Sequence, residues 1–367
     1  MRVALVHTRF GGIGGTEGYI VQVSRFLVEA GHAVDVWCLG GDRDYADSLG
    51  VRLVCEEEGR GFQHADRRIY TWSRSISRDD YDVIHGSGRC ARHDVFRAGG
   101  GVHDVWLRQR DSSVWSKILA AFRYSDRWAS KVDRAAVTQA RRVVCNSVRV
   151  SQEMRVVHGV SKERSVVIRN GVDRKRFQLS GVARAAARER IGVPSGGRVA
   201  LFLGNGFRRK GLAVATQAFA RVSGPRDRLV ILGRDAHARR WLAPARRQLG
   251  QRLVVVGPVA DPETWLVGAD ATVLPTLYDA AANSTLESLA AGVPAVTSAM
   301  DGSSEVVPEP ALVVTDPRDV AGFSDALDHA WQGGAELSDR CRDAVAAQTW
   351  EACGQALLKV YAEVTHG

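Results

Sequence analysis

Short runs of apolar, largely β-branched residues recur along the chain, separated by stretches of helical length. The runs are continuous rather than alternating, which is typical of parallel strands covered on both faces. In the first half they predict strands at Val3–His7, Ala33–Cys38, Val83–His85, Val95–Ala98, Arg142–Cys145 and Val166–Arg169. In the second half they predict strands at Val199–Leu203, Leu229–Leu232, Leu253–Val256, Ala271–Leu274, Ala295–Thr297 and Leu312–Val314. Strands that alternate with helices predict α/β domains with doubly wound sheets.

The two sets of strands are separated by an Ala- and Arg-rich stretch that ends in the loop-forming sequence GVPSGG at 192–197. A length of 367 residues also favours two domains. We therefore expect two Rossmann-like domains facing a cleft, an N-terminal one over 1–180 and a C-terminal one over 181–345. Residues 346–367 are predicted to form a closing helix that crosses back to the first domain. Ligands of such sheets bind at the carboxyl ends of the strands.

The chain has a net charge of +9, and the whole excess lies in residues 1–180, which hold 30 Lys and Arg against 21 Asp and Glu. Such a field favours an anionic partner: an acidic substrate, a membrane surface or nucleic acid. The alternative interpretation is that the excess of positive charge reflects only the frequent use of Arg in a protein encoded by a GC-rich sequence. The six cysteines include no C-x-x-C pair, which indicates reduced packing thiols rather than a disulfide or zinc framework. The start is too short for a signal peptide and no apolar run reaches membrane-spanning length, so we expect a cytoplasmic protein, soluble or peripheral on the inner face of the plasma membrane.

A glycine-rich turn follows the first predicted strand of each half. In Gly11–Gly15, glycines and the following helix, expected from about Tyr19, offer backbone N–H groups to an anion. Glu17 stands where a dinucleotide fingerprint needs its third glycine, which excludes a NAD-dependent oxidoreductase. The segment 204–211, GNGFRRKG, adds the cationic donors that a diphosphate needs, without P-loop spacing. The alternative for the first segment is a plain tight turn, and the alternative for the second is a solvated basic turn.

Two acidic residues, Asp279 and Glu287, stand eight positions apart after a predicted strand. A helix beginning near Asn283 or Ser284, capped by one of these two, would put Glu287 on its first turn and Asp279 in the preceding loop. Both could then face one ligand at the helix N-terminus, which favours phosphate. The D-x-D sequence at 42–44, a metal signature elsewhere, falls in an acidic loop, and we interpret it as solvated surface.

Together these motifs resemble the retaining GT-B glycosyltransferases of family 4, also called glycosyl transferases group 1. The resemblance covers nearly the whole chain. It is carried by the Arg209/Lys210 pair, the acid-x7-Glu spacing, AAGVPAV at 290–296, NGVD at 170–173 with Phe177, and TWE at 349–351. Among these enzymes the chain looks most similar to bacterial lipopolysaccharide core glucosyltransferases. One departure is Asp279, where the family usually has a longer Glu, and the shorter side chain can shift donor choice or lose its sugar contact.

The resemblance implies a donor-binding set consisting of Gly14, Gly15, Arg209, Lys210, Asp279, Ala282, Asn283, Ser284 and Glu287. Within it, the two glycines pack against the donor diphosphate, and Arg209 and Lys210 neutralise it. Glu287 accepts hydrogen bonds from the ribose hydroxyls, and backbone N–H groups of residues 282–284 contact phosphate or sugar. The implied catalytic set consists of His103, Asp104, Arg209, Lys210 and Asp279. His103 lies near the anomeric carbon with Asp104 as its rival, and Asp279 contacts a hydroxyl of the transferred sugar.

The activity implied is transfer of a hexose from a nucleotide sugar, by default UDP-glucose, to a hydroxyl of a glycan or lipid-linked acceptor in cell-envelope polysaccharide or lipopolysaccharide synthesis. No metal and no cofactor is expected, because Arg, Lys and a helix N-terminus stabilise the leaving diphosphate. Retention is expected by front-face attack. The acceptor is expected on the first domain, where the basic and aromatic segment 104–136 suits an anionic lipid interface; alternatively, its aromatics pack inward.

Three other classes of protein are alternatives to a sugar transferase. Nucleotide-sugar 2-epimerases share the two-domain architecture but lack the pairing of NGVD with acid-x7-Glu seen here. A nucleic-acid-binding protein is suggested by the basic composition, but the sequence contains no recognisable RNA or DNA module. A catalytically silent relative stays open because of Asp279.

Overall fold

The computed structural model describes residues 1–11, 14–56, 64–110, 124–177 and 180–366. The chain forms two compact units, the first comprising Met1–Gly171 with Trp350–Gly367 and the second Val172–Thr349. Each unit has its own parallel sheet and its own apolar core.

The first unit is built on a seven-stranded parallel sheet in the order β3-β2-β1-β4-β5-β6-β7. Its strands are β1 (Arg2–Val6), β2 (Ala33–Cys38), β3 (Arg52–Cys55), β4 (Val83–Ser87), β5 (Val95–Arg97), β6 (Arg142–Cys145) and β7 (Ser165–Val167). The α-helices described in this unit up to residue 171 are α1 (Gly15–Glu29), α2 (Arg43–Ser48), α3 (Ala65–Trp72), α4 (His103–Arg110), α5 (Tyr124–Gln139) and α6 (Val148–His158). Apolar side chains of β1 and α1 form the centre of its core.

The second unit has a six-stranded parallel sheet in the order β10-β9-β8-β11-β12-β13. Its strands are β8 (Val199–Leu203), β9 (Arg228–Leu232), β10 (Leu253–Gly257), β11 (Ala271–Leu274), β12 (Ala295–Ser298) and β13 (Val313–Val314). Its helices are α7 (Arg174–Phe177), α8 (Gly181–Ile191), α9 (Leu212–Val222), α10 (Ala238–Leu249), α11 (Glu263–Leu266), α12 (Asn283–Ala290), α13 (Val320–Gln332) and α14 (Gly334–Ala344). This order is that of a Rossmann-like sheet, and it reverses between β8 and β11, where such sheets bind ligands.

The fold class is confirmed: both units are Rossmann-like α/β domains with parallel sheets. The domain boundary lies at 171/172 rather than at 180/181, because the segment that begins at Val172 already belongs to the second unit. The Val172 N–H donates to the Gln348 carbonyl at 2.9 Å, and Phe177 joins the second core. The last helix, α15 (Trp350–His366), packs against α1 and belongs to the first unit.

Two predictions about elements were incomplete. The edge strand β3 was missed, because it is only partly buried and lacks the long apolar run of the central strands. The segment 104–136 contains two described helices, α4 and α5, and its predicted aromatic and basic residues Trp115, Lys117, Phe122 and Arg123 lie outside the described residues. Among the described helices, none combines the length and apolarity that crossing a membrane requires.

Candidate functional site

The loop that follows β8 carries the cations of the site. It runs from Gly204 to Gly211 and is fastened to the loop after β11, because the Arg209 carbonyl accepts from Leu277 N–H at 2.7 Å and from the Thr276 hydroxyl at 3.1 Å. Gly211 adopts a positive φ of 77°, and a Cβ there would approach the Pro275 carbonyl oxygen to 2.0 Å. The glycine therefore permits the close approach that sets Arg209 and Lys210 beside the end of β11.

Asp279 lies between the two cations. Its Oδ2 is 2.6 Å from Arg209 Nη1 and 2.7 Å from Lys210 Nζ. Burial by itself would raise the pKa of Asp279, but Lys210 and Arg209 hold it well below the usual range of a carboxyl. One carboxylate therefore faces two cations, which leaves this cluster an excess of positive charge that suits a diphosphate.

The backbone of Asp279 is fixed by the loop after β12. Its N–H donates to the Met300 carbonyl at 2.9 Å, and its own carbonyl accepts from Gly302 N–H at 3.0 Å. These bonds join the Asp279 backbone to residues 300–302 on both sides of Asp301.

Asp301 is a buried carboxylate that the sequence analysis missed. It accepts hydrogen bonds from Ala282 N–H and Ser303 N–H, both at 2.9 Å, from the Thr285 hydroxyl at 2.7 Å and from the Thr297 hydroxyl at 3.1 Å. Burial and the nearby charge of Asp279 raise its pKa. Asp301 thus fixes the start of α12, and the available sequence signal was an acidic residue soon after a buried strand.

The helix α12 begins at Asn283, as predicted, but its N-cap is Ala282 rather than Asn283 or Ser284. The cap residue makes no side-chain hydrogen bond to the helix, because alanine has no polar side-chain group, and its own N–H donates to Asp301. Asn283 and Ser284 occupy the first turn, and Glu287 lies on the second turn rather than the first. Residues 282–284 therefore form the N-terminal end of a helix close to the Asp279 cluster.

The surroundings of Glu287 disfavour the ionised form of its carboxyl group. Burial raises its pKa to about 7; Arg176 and Lys210 act in the opposite direction, and Glu263 adds to the rise. A carboxylate near half ionisation at neutral pH can accept hydrogen bonds from hydroxyl groups and lose them on protonation.

In the first unit, Gly14 is the N-cap of α1 in an extended conformation, and Gly15 is the first residue of that helix, which begins earlier than the predicted Tyr19. A Cβ on Gly14 would come within 2.1 Å of the Glu17 carboxylate, which receives a hydrogen bond from the Thr16 hydroxyl. The glycine therefore leaves room for the acid of the first turn beside the helix N-terminus.

His103 and Asp104 begin α4 in the first unit. Burial and Arg89 lower the pKa of His103, although Asp126 and Asp104 act against this, so its surroundings favour the neutral imidazole. Its Nε2 lies 3.7 Å from Asp126 Oδ1, and Asp126 also binds Arg110 at 2.7 Å. Asp104 accepts a hydrogen bond from the Ser130 hydroxyl.

The two acids of the D-x-D sequence have a local role. Asp42 is the N-cap of α2 and accepts from Tyr45 N–H at 3.0 Å, while Asp44 lies in the first turn of that helix. The predicted site residues are divided between the two units. The second unit contains Arg209, Lys210, Asp279, Ala282, Asn283, Ser284 and Glu287, whereas the first contains Gly14, Gly15, His103 and Asp104.

Two family models match the chain, one in each half. The model described as "Glycosyltransferase Family 4" matches residues 13–176, and the model "Glycosyl transferases group 1" matches residues 197–332. A D-inositol 3-phosphate glycosyltransferase of Geodermatophilus obscurus is 27% identical, over 96% of this chain and 85% of the relative.

Solved structures with the same fold include WaaG, described as a glycosyltransferase involved in lipopolysaccharide biosynthesis. It has a TM-score of 0.83 and 18% identity, with 100% of each chain covered. Anabaena Alr3699/HepE, solved in complex with UDP-glucose, has a TM-score of 0.75 and 16% identity, covering 99% of this chain and 100% of the other. These neighbours share two parallel-sheet domains of the GT-B type with this chain.

Proposed function

We propose that this chain, a glycosyltransferase of the GT-B type, transfers a hexose from a nucleotide sugar to a hydroxyl of a glycan or lipid-linked acceptor. The observation that carries the proposal is the cluster of Arg209, Lys210 and Asp279 beside the N-terminus of α12. A leaving nucleoside diphosphate needs preorganised positive charge, and this cluster supplies two cations and a helix end.

UDP-glucose is the proposed donor. The support is the similarity to HepE, whose structure contains UDP-glucose, and the second carboxylate, Glu287, on the helix that would receive the diphosphate. In the proposed complex Arg209 and Lys210 bind the diphosphate, Glu287 accepts from the ribose hydroxyls, and Asp279 contacts a sugar hydroxyl. Backbone N–H groups of residues 282–284 contact phosphate or sugar.

The proposed acceptor is phosphorylated or lipid-linked, in cell-envelope polysaccharide or lipopolysaccharide synthesis. Three observations favour it: relatives are named D-inositol 3-phosphate glycosyltransferase, WaaG is involved in lipopolysaccharide biosynthesis, and the net positive charge of the chain lies in residues 1–180. The same charge favours a peripheral position on an anionic membrane. The roles of Gly14, Gly15, His103 and Asp104 stay predictions.

The proposed reaction retains the anomeric configuration. The bond between the sugar C1 and the phosphate oxygen breaks, and a bond between C1 and the acceptor oxygen forms on the same face. The proton of the acceptor hydroxyl passes to the leaving phosphate oxygen, so no protein carboxylate has to act as nucleophile. Arg209 and Lys210 stabilise the charge that develops on the diphosphate, the task a metal ion performs in other transferases. We therefore expect full activity in EDTA.

The test is a thermal-shift panel of UDP, GDP and ADP, because a ligand that binds only the folded state raises the melting temperature. One nucleotide should raise it by several degrees, and Glu287→Ala and Arg209→Ala should abolish the rise. Arg221→Ala, an exposed position on α9, serves as the surface control. A wild type that no nucleoside diphosphate stabilises would contradict the proposal.

The epimerase alternative is distinguished by incubating the stabilising nucleotide sugar without an acceptor. An isomerase would produce the 2-epimer, whereas a transferase leaves the sugar intact apart from slow hydrolysis. Transfer to an added acceptor, measured with and without EDTA, tests the metal independence.

A further inference from the structure

Asp301 lies between the two parts of the proposed diphosphate site, which are the Asp279 loop and the N-terminal end of α12. The backbones of Asp279 and Asp301 are adjacent, because the two residues form a short parallel β-bridge. Asp301 has no solvent-exposed surface, whereas its neighbour in this bridge binds the cations Arg209 and Lys210. Asp301 therefore adjoins the site without offering a surface that a nucleotide could contact.

Each carboxylate oxygen of Asp301 accepts two hydrogen bonds. Its Oδ1 accepts from Ala282 N–H and from Ser303 N–H, both at 2.9 Å. Its Oδ2 accepts from the Thr285 hydroxyl on α12 at 2.7 Å and from the Thr297 hydroxyl on β12 at 3.1 Å. One side chain thus joins the end of β12 to both the N-cap and the first turn of α12.

The residues beside Asp301 in the sequence reinforce this connection. The Ser303 hydroxyl donates to the Ala282 carbonyl at 3.0 Å, so the N–H and the C=O of Ala282 are both held from this loop. The Gly302 N–H donates to the Asp279 carbonyl at 3.0 Å. Because Ala282 has no polar side chain with which to cap α12, the position of the helix end relative to Asp279 depends on this loop.

The charge of Asp301 does not explain its presence beside a diphosphate site, because a negative charge there repels an anionic ligand. Its hydrogen bonds do explain it, since a carboxylate is an acceptor at both oxygens. An asparagine of the same shape could replace it: its carbonyl oxygen accepts from the two N–H groups, and its NH₂ group donates to the two threonine hydroxyls. An alanine leaves all four partners without Asp301.

We propose that Asp301 is a positioning residue for the donor diphosphate and that it acts through its hydrogen bonds rather than through its charge. It holds the N-terminal end of α12 and the Asp279 loop at the spacing that the diphosphate requires, without contacting the nucleotide. This inference rests on the proposed function, in which the Asp279 cluster and the end of α12 receive the diphosphate.

The experiment measures the Kd of UDP by calorimetry for wild type, Asp301→Ala and Asp301→Asn. Asp301→Ala should weaken UDP binding roughly tenfold or more, because the helix end is no longer held and small displacements of binding groups are costly. Asp301→Asn keeps the hydrogen bonds and removes the like charge, so it should bind UDP as tightly as wild type or up to roughly fivefold more tightly. A purely electrostatic role would instead give both variants the same change in affinity.

A second pair of variants tests the same role from the helix side. Thr285→Val removes the hydroxyl that donates to Asp301 Oδ2 and should weaken UDP binding severalfold, whereas Thr285→Ser keeps that hydroxyl and should bind UDP as wild type does. This pair decides the question if Asp301→Ala does not fold. Loss of affinity in Thr285→Ser equal to that in Thr285→Val would contradict the role of the hydrogen bond.

Leu249→Ala is the matched control for lost stability. Leu249 is buried in the second core at the C-terminal end of α10, which leads back to the amino end of β10 and so lies away from the carboxyl edge of the sheet. Its substitution lowers the melting temperature through lost burial, but UDP affinity should stay within about twofold of wild type. Melting temperatures of all variants identify a temperature at which every one is folded.

Three outcomes would overturn the positioning role while leaving the proposed function intact. They are wild-type affinity for UDP in Asp301→Ala, affinity in Asp301→Asn as weak as in Asp301→Ala, and a loss of affinity in Leu249→Ala as large as in Asp301→Ala. A wild type that binds none of UDP, GDP and ADP would instead contradict the proposed function itself.

Discussion

Glu287 is a buried acid that lowers stability at neutral pH and is proposed to bind the ribose of the donor. Its pKa of about 7 in the folded chain exceeds that of an ordinary glutamate, so the folded state binds more protons than the unfolded state, and stability falls as the pH rises from about 4.5 to 7. Glu287→Gln removes that charge. We expect its melting temperature to exceed that of wild type by a few degrees at pH 8 and to equal it near pH 4.5, while UDP no longer stabilises it. Equal melting temperatures at both pH values would contradict the burial of this charge.

The surroundings of Asp279 have the opposite effect, because Lys210 and Arg209 strongly favour its ionised form. Asp279→Asn leaves Lys210, whose side chain is 8% exposed, without its carboxylate. Removing one member of a buried ion pair costs roughly 3–5 kcal/mol, so the melting temperature of the free protein should fall by several degrees. A bound diphosphate restores negative charge, so the rise on adding UDP should exceed that of wild type although transfer is slower. Asp325→Asn, at an exposed position on α13, is the control in thermal-shift and turnover measurements. An unchanged melting temperature would show that Asp279 does not compensate Lys210.

At the scale of elements, the strands could be predicted where apolar runs are continuous, and β2, β6, β8 and β11 match their predicted bounds. The edge strand β3 could not, since an exposed edge relaxes the demand for apolar residues. The N-cap of α12 could not be predicted either, because the N–H of Ala282 donates to Asp301, which lies 19 positions away in the sequence. The cations and acids of the site could be predicted because they lie in recognisable sequence motifs. Asp301 was missed because the hydrogen bonds that define its role join residues far apart in the sequence.

The loop after β8 depends on glycine in two different ways. Gly206 and Gly211 both have positive φ, of 78° and 77°, but a Cβ at Gly206 would meet no atom within 4 Å, whereas one at Gly211 would overlap the Pro275 carbonyl. Gly206→Ala should therefore cost about 1 kcal/mol of unfolding free energy for backbone strain alone. Gly211→Ala should cost clearly more and weaken UDP binding at least tenfold, because Arg209 and Lys210 must move. Urea unfolding and calorimetry measure both; equal costs would argue against the close approach.

On the scale of the whole molecule, the chain leaves the first unit at residue 171 and returns to it at residue 350. Helix α15 contributes buried side chains, Leu357 and Tyr361 among them, to the core around β1 and α1. All residues proposed to bind the donor from the second unit lie between these two crossings. Stability and nucleotide binding can therefore be separated by choosing which core is weakened.

Leu357 and Leu289 provide that separation, since both are fully buried leucines, one in each core. Either change to Ala should lower the free energy of unfolding by about 2–5 kcal/mol through lost burial and the cavity left behind. Leu357→Ala should leave the Kd of UDP within about twofold of wild type at 15 °C, because the cations and acids proposed to bind the donor all lie in the second unit. Leu289→Ala should weaken binding severalfold, because Leu289 packs α12 into the second core. Lys359→Ala, exposed on α15, controls for changes on that helix. Weakened UDP binding in Leu357→Ala, with the protein still folded by circular dichroism, would mean that the first unit contributes to donor affinity through its own residues and not only through its stability.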